Sequence, residues 1–112
     1  MKFFLIGMMG SGKSAVGKLL AKDLNLPILD IDNIIEKKEN LSIKNIFHQK
    51  GEHYFRLIEN EILRENKNPS VISCGGGIIL EKKNRKFLEK SGYTIYLKAS
   101  VSILKNRLMY KN

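Results

Sequence analysis

The stretch that decides the fold is Gly7–Ser14, "GMMGSGKS", with "KFFLIG" (residues 2–7) leading into it and a run from about Lys13 to Leu24 behind it. The apolar run ending in glycine reads as a buried strand. The run behind it spaces Val16, Leu19, Leu20 and Leu24 along one helical face. The glycines therefore occupy a tight strand-to-helix turn that fits the pattern G-x-x-x-x-G-K-[ST]. In such a turn successive backbone N–H groups point inward around phosphate oxygens, and the helix N-terminus adds its positive end. The pattern predicts binding of a nucleoside triphosphate, with Lys13 reaching the β- and γ-phosphates and the Ser14 hydroxyl binding Mg²⁺.

Outward from this loop, strands and helices alternate. Ile28 to Ile31 reads as a second strand after Pro27, and helical patterns run through Ile34 and Ile35, then Ile43, Ile46 and Phe47. Gly51 breaks the chain before a helix to about Asn66, with an apolar stripe of Phe55, Ile58 and Ile62 flanked by Tyr54 and Leu63. "SVISC" (residues 70–74) is a third strand, bounded by "NP" and "GGG", and "YTIYL" (residues 93–97) a fourth. Helices are expected over residues 81–90 and 101–110. This alternation means an α/β domain whose parallel sheet is covered on both faces.

The composition sets bounds on this reading. The chain has 112 residues, enough for one domain with its own core. No segment approaches the roughly 18 apolar residues that span a membrane. The opening "MKFFLIGMMG" leads into a glycine turn rather than a cleavage site, so it is not read as a signal peptide. A single cysteine, Cys74, excludes an internal disulfide and fits a reducing cytoplasm. The net charge of +9 is concentrated late, with ten Lys/Arg against two Asp/Glu in residues 66–112. No basic run exceeds two adjacent residues and no aromatic stacking pattern accompanies it. The reading is therefore ordinary phosphate-handling charge on a Lys-, Ile- and Asn-rich composition, not nucleic-acid binding.

Three further stretches carry chemistry. In "PILDIDNII" (residues 27–35), Asp30 and Asp32 interrupt an apolar run at a strand end, where parallel α/β sheets present their ligand crevice. Alternation places both on one side of an extended backbone. One can assist a hydrated Mg²⁺ while the other accepts hydrogen bonds from a hydroxylated substrate; the competing reading is that Asp32 caps the helix beginning near Asn33. In "GEHYFRLIE" (residues 51–59), Arg56 and Glu59 share a helical face. An arginine fixed by a carboxylate is a good bidentate clamp for a substrate carboxylate, although the same spacing also describes a solvated surface pair. In "CGGG" (residues 74–77), three glycines permit close backbone approach to a ligand, or form only a flexible turn.

Taken in order, phosphate loop, D-x-D, G-E-x-x-F-R-x-x-E and G-G-G, the chain resembles shikimate kinase along its whole length, up to "YTIYLKA". The resemblance implies a P-loop NTPase fold of the nucleoside-monophosphate-kinase type, three-layered, working as a monomer in the cytoplasm. The reaction it implies is phosphorylation of the 3-hydroxyl of shikimate by MgATP, on the route to chorismate and aromatic amino acids. The ATP loop then falls on Gly10, Ser11, Gly12, Lys13, Ser14 and Ala15, where Ala15 stands in place of the family's usual threonine. Asp32, Arg56 and Gly76 match shikimate-binding positions, with the Gly75–Gly77 backbone lying against the ring. Ser14 matches the Mg²⁺ ligand and Asp30 the aspartate that helps place the metal through water. The family continues beyond the present chain with a lid, a further strand and a last helix, so these 112 residues by themselves are expected to be impaired.

The rivals are another small-molecule P-loop kinase such as a gluconate kinase, and a nucleotide-binding module without catalysis. A third is a nucleic-acid binder using the basic second half. His48 and His53 are read as surface residues, and Cys74 as a small core residue.

Overall fold

The computed structural model describes residues 1–7 and 12–97. Four strands, β1 (Lys2–Gly7), β2 (Ile28–Asp30), β3 (Ser70–Gly75) and β4 (Gly92–Leu97), form one parallel sheet in the order β2-β3-β1-β4. The helices are α1 (Lys13–Leu24), α2 (Ile31–Glu39), α3 (Ile43–Glu65) and α4 (Lys82–Ser91), and a 3-10 helix spans Gly76–Leu80. The helix read over residues 101–110 lies outside the described residues, as do Met8, Met9, Gly10 and Ser11.

The strand order positions the site. The chain leaves β1, skips one place to make β2, and returns through β3 into the gap. Register then sets Gly7 beside Gly75, and Asp30 beside Ser73. The ends of β1, β2 and β3 therefore open side by side along one edge, where α/β folds bind ligands.

Alternation along the strands sorts the core. Phe4, Ile6, Ile72 and Cys74 pack with Ile31, Ile35, Ile46, Phe55, Ile62, Leu63, Ile78 and Leu88 beneath α2, α3 and α4. Leu5 and Val71 point the other way, against Ala21 of α1. Here the structure corrects the sequence. Of the expected stripe on α1, Val16, Leu19 and Leu24 are exposed, and the helix buries Gly17 and Ala21 instead. A Cβ at Gly17 would lie 2.8 Å from Ile28 Cδ1 and 3.1 Å from Leu5 Cδ1. The helix packs close to the sheet on its small residues, which a search for large apolar spacing does not see.

The break expected at Gly51 is present as a kink inside α3, with φ 89° and ψ 165°. Those angles are open essentially to glycine alone. The kink lets one half of α3 bury Ile46 and the other bury Phe55, Ile62 and Leu63.

Candidate functional site

At the loop, Gly12 takes a left-handed conformation (φ 92°) as the N-cap of α1, which starts the helix at Lys13. Lys13 donates from Nζ to the carbonyl of Cys74 at 2.9 Å, so its ammonium lies across the end of β3. Ser14 and Ala15 follow on the exposed first turn of α1. Gly10 and Ser11 lie outside the described residues.

The two aspartates lie close together but not as alternation predicted. β2 ends at Asp30, and Ile31 already belongs to α2. Asp30 is the N-cap, its Oδ1 accepting from the Asn33 N–H at 3.1 Å. Asp32 is half-buried in the first turn of α2. The two therefore do not share a face of an extended strand, and the capping role expected of Asp32 belongs to Asp30. The shift follows from the cap itself, because satisfying the Asn33 N–H starts the helix at Ile31, two residues earlier than expected. Burial raises the Asp32 pKa, and the charge of Asp30 adds to this, against the pull of Lys13 and Arg56. Lys13 and Arg56 are thus near enough for their charges to act on Asp32.

The Arg56–Glu59 pair forms, and it is not a solvated surface pair. Arg56 Nη1 donates to Glu59 Oε1 at 2.9 Å, with Glu59 only 1% exposed. Burial raises the Glu59 pKa even though Arg56 opposes the shift. The guanidinium also lies 5.2 Å from the Phe55 ring centroid and 3.6 Å from the exposed Glu52. Gly77 is what makes room for it: a Cβ there would come within 2.4 Å of Arg56 Nη2. At Gly75, by contrast, a Cβ would meet only Glu59 Oε2, at 3.9 Å. The glycine run is thus read by a protein side chain at its last position. Cys74 sits in the centre of this cluster, fully buried. Burial pushes its thiol up, so it serves as packing and not as a nucleophile. His48 and His53 are exposed.

Sequence reasoning missed two features. Phe47 and Phe55 pack with ring centroids 4.8 Å apart across the Gly51 kink. Asn60 and Asn84 are buried and bonded to each other at 2.8 Å. The spacing of Asn84 with Leu88 on one helical face was the available signal, and an asparagine on a core face does not register in an apolar count.

A family model described as shikimate kinase matches residues 9–112. The chain belongs to the shikimate kinase family. It is 44% identical over 107 residues to the shikimate kinase of a Sulfurihydrogenibium species, covering 94% of this chain and 64% of that relative. The crystal structure of the shikimate kinase from Aquifex aeolicus superposes with a TM-score of 0.81 at 42% identity, over 92% of this chain and 62% of that one. The shikimate kinase from Acinetobacter baumannii in complex with shikimate gives 0.77 at 36% identity, over 90% of this chain and 57% of that one. The chain thus spans roughly three-fifths of the length of these relatives.

Proposed function

We propose that this chain is a P-loop kinase domain that transfers the γ-phosphoryl group of ATP to the 3-hydroxyl of shikimate. The observation that carries the reading is Arg56: a guanidinium fixed by a buried carboxylate, seated on a glycine, and near enough for its charge to act on Asp32. A fork held in this way matches a carboxylate in two parallel hydrogen bonds. Shikimate offers one carboxylate for Arg56 and ring hydroxyls for Asp32. The backbone of Gly75, Gly76 and Gly77 is the surface for its ring.

On the donor side, Gly10 to Ala15 hold the phosphates of ATP through backbone N–H groups, and Lys13 brings its charge to the transferring group. Asp30 caps α2 through Oδ1, and its other oxygen has no hydrogen-bond partner among the described residues. A hydroxyl and a carboxylate are hard oxygen donors of the kind that suits Mg²⁺, which keeps several of its own waters. Ser14 would hold the ion directly and Asp30 through water. When bound, Mg²⁺ neutralises charge on the phosphates. Asp32 receives the acceptor hydroxyl; with its pKa raised, it is better suited than an ordinary aspartate to take a proton, although positioning and charge carry most of such a transfer. A phosphotransfer enzyme of this type with one buried cysteine suits the reducing cytoplasm, and we read it as a monomer.

The test is shikimate-dependent ADP release from MgATP by the complete protein that carries this sequence. Turnover of about 1–100 per second is expected. Phosphorylation of gluconate with shikimate inert would replace this reading with its nearest rival.

A further inference from the structure

We infer that Asn84, together with Arg85, is a positioning residue that fixes the glycine segment against Arg56 and so sets affinity on the acceptor side. The inference rests on the acceptor reading above and extends it to residues of α4.

Three successive glycines have little stiffness of their own. Something outside the segment has to hold it. Three consecutive carbonyls at the end of the 3-10 helix are taken by two consecutive side chains of α4. Asn84 Nδ2 donates to the carbonyl of Ile78 at 3.0 Å, and Arg85 Nη1 donates to those of Ile79 at 2.6 Å and Leu80 at 3.4 Å. These are helix-end carbonyls that otherwise lack partners within the element.

The Asn84 amide also donates to Asn60 Oδ1 at 2.8 Å, and Asn60 Nδ2 donates to Glu81 Oε2 at 3.3 Å. A carboxylate only accepts, so Glu81 turns the NH₂ of Asn60 toward itself and leaves the Asn60 oxygen for Asn84. Every link then has one direction. Asn60 follows Glu59, the residue that holds Arg56, and Gly77 precedes Ile78. The guanidinium and the glycine beneath it are thereby tied to the same buried amide.

A second observation says that the donor half of Asn84 is what matters. Asn84 is 1% exposed, and among the described residues its Oδ1 has no hydrogen-bond partner. A buried oxygen without a partner is unfavourable, and a leucine would pack beside Leu88 without it. The two donations are the physical reason for an amide at this position.

The experiment compares wild type, Asn84→Asp and Arg85→Ala in the complete protein. Asn84→Asp keeps the shape and removes both donations. The KM for shikimate should rise about tenfold or more while that for MgATP stays within about twofold. Arg85 is exposed, so Arg85→Ala leaves the core intact; it should raise the shikimate KM about threefold, again without effect on MgATP. Should Asn84→Asp not fold, Arg85→Ala decides the question. Equal rises in both KM values, or no change in the shikimate value, overturn the inference. Hydrogen exchange of the Gly76–Leu80 amides, measured without substrate, should accelerate in both variants while α1 is unchanged. Unaltered exchange overturns the clamp whatever the substrate. Accelerated exchange in a protein inert toward shikimate supports the clamp and removes only the substrate assignment.

Discussion

Lys13 and Arg56 both bring a positive charge to the same edge of the sheet, by different means. Lys13 stands at the start of α1, and its position follows from a glycine turn directly before it. Arg56 is held by Glu59 from its own helix, by the absence of a side chain at Gly77 from the 3-10 helix, and by the Phe55 ring beneath it. The glycine turn places the backbone of Lys13 and the Cys74 carbonyl of β3 holds its ammonium, whereas the Arg56 guanidinium is gripped from within its own helix and seated in the room that Gly77 leaves. Damage to the first should be confined to phosphoryl transfer. Damage to the second should spread along whatever holds it.

The largest effect is expected for Lys13→Ala. Removing the cation the loop supplies should lower turnover by about 10²–10³-fold or more. Steady-state kinetics with shikimate and MgATP check this, and near-wild-type turnover would break the donor side of the comparison.

Arg56→Ala should cost about 1.5–3 kcal/mol of acceptor binding, roughly tenfold to more than a hundredfold in affinity, with ATP binding retained. Calorimetric titration with each ligand separates the two sides. An equal loss for both ligands would mean that they are not independent.

Gly77→Ala sharpens the comparison, because it changes no charged group. The new methyl group would occupy the place of the guanidinium, and Arg56 has to move away from Glu59. A loss of shikimate affinity of several-fold, about half the free-energy effect of Arg56→Ala, is expected. The same substitution at Gly75 should do much less, since a Cβ there meets only one atom at ordinary contact distance.

The smallest effect is on stability. The Glu59 pKa lies above its ordinary value of 4.5, chiefly through burial. A carboxyl raised in the folded state favours folding most when protonated. Its contribution is fully present below 4.5 and is lost as pH rises through the folded value. Denaturant unfolding over that acidic window should show wild-type stability falling as pH rises, and Glu59→Gln should flatten the fall. Asp32 has the same sign, so part of the slope remains in the variant.

Much of this arrangement was legible beforehand, for reasons that differ from element to element. The turn at Gly12 before Lys13 and the Gly51 break were readable because each is a backbone requirement that few residues meet. Strand–helix alternation gave the parallel sheet. The Arg56–Glu59 pair was visible as spacing, but the spacing could not distinguish a buried pair from a solvated one. The aspartates were misplaced because a cap ends a strand more abruptly than an apolar run indicates. The face of α1 was misread because close packing there uses Gly17 and Ala21.

The sequence by itself determined the local features: a glycine turn before Lys13, a kink at Gly51, a strand ending at three glycines, and membership of a kinase family by the order of its motifs. These depend on residues near one another in the chain, where backbone sterics and hydrogen bonding act directly. Only the tertiary structure decided that β3 lies between β1 and β2, that Glu59 is buried against the sheet, that Gly77 makes room for Arg56, and that Asn84 bonds to Asn60. Each of those is a contact between residues far apart in the chain. No periodicity records such a contact, because it is fixed by which surfaces meet when the sheet closes.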